Sequence, residues 1–136
     1  MDVIEKALAI QREASVKRLD WKNAFGVLKK LHEELDELEE ALRSGARESY
    51  KEEVGDLVFS AVNLARMLAI DPEGALRKAI DKFEHRFRGV LASIEESGRD
   101  VERMSIDELD VLWEEAKKPE SSQSGDSLQS EPGYNG

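Results

Sequence analysis

Carboxylates at helical spacing are the first residues in this chain that could do chemistry. Within KKLHEELDELEEAL, Glu34 and Glu37 stand three residues apart on a segment of helical periodicity. Leu28, Leu31, Leu35, Leu38 and Leu42 form an apolar stripe on the same segment. At about 100° per residue, Glu34 lies about 70° from the middle of that stripe and Glu37 about 130°. Both carboxylates therefore share one side of the helix, within reach of a common cation. By itself the pair favours a plainer reading, because so acidic a segment must contain some Glu-x-x-Glu match on a solvated face.

A second acidic pair has a different setting. Glu53 and Asp56 open a line that continues through Ser60 and Asn63, one face of a helix whose later part reads LVFSAVNLARMLAI. Polar groups on an otherwise apolar helix must face a cavity, a metal, a partner or a salt-bridge network, since burial without a partner is costly. A short connection around Gly45 makes the two helices antiparallel neighbours, with both acidic pairs in the halves nearest the turn. Four converging carboxylates repel one another, and a hard divalent cation with oxygen ligands relieves that repulsion. The chain has no cysteine and only two histidines, His32 and His85. Zinc and redox metals are therefore disfavoured, His32 is expected to face solvent, and magnesium, with manganese as the alternative, is the expected ion.

Opposite charge comes from a later helix. Lys78, Lys82 and Arg86 recur every four residues along one flank, while Leu76, Ala79, Ile80, Phe83, Phe87, Val90 and Ile94 mark its apolar side. A metal site faced by basic groups suits a polyphosphate. Pairing of the same basic residues with surface acids explains the pattern equally well.

The elements that must position these groups are helices. The periodicity predicts five: about Val3 to Arg18, Ala24 to Arg43, Arg47 to Ala69, Asp71-Pro72 to Ser97, and a last one ending near Lys118. Asp71 and Pro72 read as N-cap and first helical residue, Gly98 as a stop, and Ser105-Ile106-Asp107-Glu108 as a capping box. Leu57, Ala61, Leu64, Ala65 and Leu68 mark one face of the third helix, and Phe59 and Val62 another. A helix apolar on two sides is buried on two sides, either as the central helix of a monomer or, as we expect in so small a domain, against a second subunit. The expected architecture is all-α, an antiparallel bundle with a four-helix core plus a C-terminal helix, assembled as a homodimer or higher homo-oligomer. Residues 1–118 form the domain, and 119–136, rich in Ser, Gly and Pro, read as a disordered polar tail.

Thirty acidic against twenty basic side chains give a net charge of −10, which disfavours general nucleic-acid binding. No apolar run is long enough to span a membrane, and the N-terminus lacks a signal-like pattern. Together with the lack of cysteine, this leads us to expect a cytoplasmic protein.

KKLHEELDELEEAL followed by EEVGDLVFSAVNLARMLAIDPEGALRKAIDKFEHRFRGV resembles the MazG family of all-α nucleoside triphosphate pyrophosphohydrolases. Glu33, Glu34 and Glu37 match its Glu-Glu-x-x-Glu motif, and Glu53 and Asp56 its Glu-x-x-Asp motif. The likeness runs from about Ile10 to Lys117, and the DLVFSAVNLAR and DKFEHRFR stretches make it specific. It implies magnesium-dependent hydrolysis of nucleoside or deoxynucleoside triphosphates to the monophosphate and pyrophosphate, in nucleotide-pool housecleaning. It also implies that Glu34, Glu37, Glu53 and Asp56 bind the metal and carry catalysis, and that Lys30, Lys82, Arg86, Trp113 and Lys117 contact the nucleotide. Read from the residues alone, Trp113 with Ile106, Leu109, Leu112 and Ala116 is core of the last helix. Trp21 in LDWKN is a second candidate for the base pocket. Ser49 stands where family members often carry a lysine. Some relatives carry two such domains in tandem; this sequence shows one. The rival from another class is a non-catalytic helical nucleotide-binding or protein-interaction module on the same scaffold.

Overall fold

The structure is a computed structural model, and it describes residues 2–118. Among the described residues it holds five α-helices and no strand: α1 (Val3–Val16), α2 (Ala24–Ser44), α3 (Arg47–Met67), α4 (Pro72–Glu96) and α5 (Ile106–Lys117). A 3-10 turn at Val101–Arg103, which periodicity did not show, precedes α5. The all-α class is as expected. The tail expected from Pro119 lies outside the described residues.

Four of the five helices start where a side chain satisfies free N–H groups, whereas α3, entered from Ala46, has no side-chain cap. Asp2 accepts from the Glu5 amide at 2.8 Å and Asn23 from the Phe25 amide at 3.0 Å. Asp71 accepts from the amides of Glu73 and Gly74, with Pro72 as the first residue of α4. At α5 the capping box is complete, Ser105 accepting from the Glu108 amide and the Glu108 carboxylate accepting from the Ser105 amide. The ends of α1 and α3 are less ordinary. Arg18 and Ala69 adopt φ of 66° and 56°, a left-handed conformation that sequence reading assigns to glycine.

The chain divides inside α4 into two compact units, one reaching to Lys78 and the other beginning at Ala79. In the first, Gly45 takes φ 72° as the C-cap of α2 and gives its N–H to the Ala41 carbonyl. That left-handed turn folds α3 back along α2, and α1 packs on α3. Val27, Ala41 and Val62 are its buried apolar side chains. The covered face of α2 is thus centred on Val27, Glu34 and Ala41, at seven-residue intervals, rather than on the middle of the leucine stripe. Leu35 and Leu42 stay exposed, as do Val54, Val58 and Phe59 on α3. Among the described residues Val54, Val58 and Phe59 thus stay open to solvent along α3, while Val62, which shares the expected second side with Phe59, is buried.

In the second unit Val90 and Ile94 are the buried apolar residues. Phe83 stacks on Phe87 with ring centroids 6.3 Å apart and lies 4.8 Å from the ring of Trp113.

Candidate active site

The α2–α3 hairpin brings three of the four expected carboxylates together. Oxygens of Glu34, Glu37 and Glu53 all lie within 4.8 Å of one another. Glu34 is only 3% exposed, because its place on α2 is the line that α3 covers. Glu53 is half-buried and Glu37 open to solvent. Asp56, one turn further along α3, is exposed and stands outside this group.

One cation from the protein itself reaches the cluster. Lys30, one turn before Glu34, places Nζ 2.9 Å from Glu34 Oε1. That hydrogen bond holds Glu34 below the ordinary carboxylate range, against the upward push of burial. A single ammonium cannot satisfy three carboxylates. Glu34 Oε2 and Glu53 Oε2 are both buried with no hydrogen-bond partner. Burial, then hydrogen bonding with Glu34 and Glu37 and their negative charge, pushes Glu53 up to about 7. Two unsatisfied oxygens among acceptors that are all hard carboxylates fit a hard divalent cation. Neither sulfur nor imidazole belongs to the group.

Further along α3 the polar line has a different end. Half-buried Asn63 accepts a hydrogen bond from Arg66 Nε at 2.9 Å. Arg66 Nη2 in turn lies 2.8 and 2.9 Å from the two carboxylate oxygens of Asp20, in the link after α1. Burial pushes Asp20 upward, yet hydrogen bonds from Arg66, Ser15 and the Trp21 amide, with the Arg66 charge, hold it below its usual range. The two explanations weighed for this line thus apply at opposite ends: a carboxylate cluster at Glu53, an ion-pair network at Asn63.

Beside that network lies a cavity of about 500 Å³ with Ile10, Leu19, Trp21 and Phe59 among its walls. Trp21 rests on the first turn of α2, where a side chain at Gly26 would meet Trp21 Cβ at 3.3 Å. Gln11, 5% exposed, also lines this cavity. Sequence reading passed over Gln11, Asp20 and Arg66. For Gln11 a signal existed: it shares a helix face with Ile4, Ala7 and Ala14, a polar residue on an apolar line.

The remaining candidates belong to the second unit. Lys82 is exposed and Arg86 half-buried beside a cavity of about 310 Å³ that also reaches Ser93 and Glu115. Among the described residues neither they nor Lys78 form an ion pair, so the surface pairing that would explain the stripe does not occur there. Trp113 is half-buried against Phe83, and Lys117 is paired with Glu114 at 3.2 Å.

Residues 25–91, which contain both acidic motifs and the basic flank of α4, match the MazG nucleotide pyrophosphohydrolase domain. The chain is 48% identical over 114 residues to the nucleoside triphosphate pyrophosphohydrolase/pyrophosphatase MazG of Thermotoga maritima, covering 84% of this chain and 44% of that protein. It is 34% identical over 122 residues to the nucleoside triphosphate pyrophosphohydrolase of Escherichia coli K12, covering 88% of this chain and 46% of that one. The chain thus spans less than half the length of these curated relatives. Through its domain over residues 25–91, carrying the Glu34/Glu37 and Glu53/Asp56 motifs on one helical hairpin, the chain belongs to the MazG nucleotide pyrophosphohydrolase family.

Proposed function

We propose that this chain hydrolyses nucleoside or deoxynucleoside triphosphates to the monophosphate and pyrophosphate, using magnesium held by Glu34, Glu37, Glu53 and Asp56. The observation that carries the reading is the convergence of three carboxylates with two buried, unpartnered oxygens on the hairpin of a MazG domain. The relatives' naming as nucleoside triphosphate pyrophosphohydrolases supports the reaction type. Asp56, exposed one turn along α3 from Glu53, completes the ligand set by its match to the family's Glu-x-x-Asp motif.

A magnesium ion held by these carboxylates would supply positive charge against the triphosphate. Water attacks the α-phosphorus and gives its proton to a carboxylate of the cluster, while the bond from that phosphorus to the β-bridging oxygen breaks and pyrophosphate leaves. Lys30 keeps the Glu34 carboxylate ionised and fixes its orientation through the bond to Oε1. For the nucleotide's other contacts we propose Lys30, Lys82, Arg86, Trp113 and Lys117, on the strength of their match to the family pattern. Lys82 and Arg86 are suited to phosphate because no acid neutralises them among the described residues. The function fits a cytoplasmic role in clearing the nucleotide pool, which a cysteine-free chain tolerates.

A magnesium-supplemented panel of nucleoside and deoxynucleoside triphosphates tests this. Pyrophosphate, with the matching monophosphate, is the expected product. Orthophosphate alone would exclude attack at the α-phosphorus, and binding without turnover would favour a non-catalytic module.

A further inference from the structure

The link at residues 17–23 joins α1 to α2, and its hold on the rest of the first unit is narrow. Of those residues Asp20 is the one that is not exposed. Both of its carboxylate oxygens meet one partner: Arg66 Nη2 donates to Oδ1 at 2.8 Å and to Oδ2 at 2.9 Å. The pair is largely shut away from solvent, with 13% of the Arg66 side chain and 15% of the Asp20 side chain exposed. Water screens such a pair poorly, and removing either partner strands the other. Arg66 is itself fixed, since its Nε donates to Asn63 Oδ1 at 2.9 Å, one turn earlier on α3. Asp20 passes that order to its neighbours. The Trp21 N–H donates to Asp20 Oδ1 at 2.8 Å, and the Trp21 ring backs onto Gly26 in the first turn of α2.

Leu19 and Trp21, on either side of Asp20, are walls of the cavity described above. Both are exposed, Leu19 at 77% and Trp21 at 45%, so packing alone does not hold them. What holds them is the anchor between them, and that anchor stands on the helix that carries Glu53. Arg66 follows Glu53 by thirteen residues on α3, about 20 Å along the axis. One rigid helix therefore sets this wall relative to the carboxylates. We propose that Arg66 is a positioning residue for the nucleotide. Through Asp20 it holds Leu19 and Trp21 in place before the ligand arrives, so that binding need not first order the link. This role rests on the nucleotide reading given above, with Trp21 as the base-pocket candidate, and Arg66 acts in it through Asp20 rather than by contact.

Two probes separate this role from a purely structural one: an α,β-methylene nucleoside triphosphate of the base bound best, whose bridge is not cut, and inorganic tripolyphosphate, which has no nucleoside. Each is titrated by calorimetry, in magnesium, against the full chain, so no turnover is needed. Asp20→Asn keeps the shape and an acceptor for the Trp21 amide. It is expected to weaken the nucleotide roughly tenfold or more, while tripolyphosphate stays within about twofold. Arg66→Met is expected to do the same, and the double variant no more than either alone, because the two residues act through one contact. Acrylamide quenching of Trp21, read as the difference from the matching Trp21→Phe chain, is expected to rise in all three. Equal weakening of both probes, or of neither, would overturn the positioning role, as would losses that multiply in the double variant. Should Arg66→Met lose its helical circular dichroism, Asp20→Asn and its quenching decide. Absence of turnover in the triphosphate panel, with this affinity pattern intact, would overturn the hydrolase and leave the positioning role standing.

Discussion

Glu53 is the residue on which the chemistry turns, because three causes act on it in one direction. Burial, Glu34 and Glu37 together push it up to about 7, so without metal it carries a proton near neutral pH. Its folded pKa lies above the ordinary 4.5, so its contribution to stability is full below that value and lost as pH rises through 7. Glu34, held low by Lys30, acts in the opposite sense: its contribution is full above the ordinary 4.5 and is lost only as pH falls into acid. In chelator, the melting temperature is therefore expected to fall between pH 5 and 8, and added magnesium to restore it most at the alkaline end. A flat profile in chelator would mean that the three carboxylates do not share their charge. Glu53→Gln removes a ligand while keeping shape, so turnover is expected to fall at least a hundredfold with helical circular dichroism unchanged. Retained turnover would move the metal elsewhere.

At the scale of elements, start signals were legible and stop signals only in part. Asn23, Asp71 and the Ser105/Glu108 box bond as their residue types dictate, since each is a local side-chain-to-backbone interaction. Gly45 announced its turn for the same reason. The ends at Arg18 and Ala69 did not, because local helix-end hydrogen bonds, Leu19 to Ala14 and Ile70 to Ala65, close over two ordinary exposed residues in the left-handed conformation where only glycine would have been read. Ala69 belongs to a closed C-terminal motif, the Ile70 amide donating to the Ala65 carbonyl at 2.8 Å. Replacing it by glycine removes the steric penalty and is expected to raise stability by about 0.5–1 kcal/mol in urea melts. Ser105→Ala should lower it by about 1 kcal/mol through loss of the cap. The metal pair on α3 could be read because acidic residues there interrupt an apolar run. The burial of Glu34 could not, since it depends on which line of α2 the neighbouring helix covers, and the leucines pointed slightly aside.

For the molecule as a whole, the weakest link is apolar burial. Among the described residues the buried apolar side chains are Val27, Ala41, Val62, Val90 and Ile94, and of these Val27 is closed off completely. Leu35, Leu42, Val54 and Val58 meanwhile stand about half exposed on the two helices that carry the carboxylates. A second copy of the chain, covering the exposed apolar residues of α3, is the assembly we propose, as the two-sided apolar pattern of that helix predicts. Sedimentation at micromolar concentration should then report a dimer or larger. Val58→Glu places a charge on the 57% exposed position of α3, where a lone chain would tolerate it. In an assembly it should weaken association at least tenfold and lower the melting temperature, although no carboxylate ligand has been touched. A chain that sediments as a stable monomer, with Val58→Glu melting like the parent, would show that α3 needs no cover.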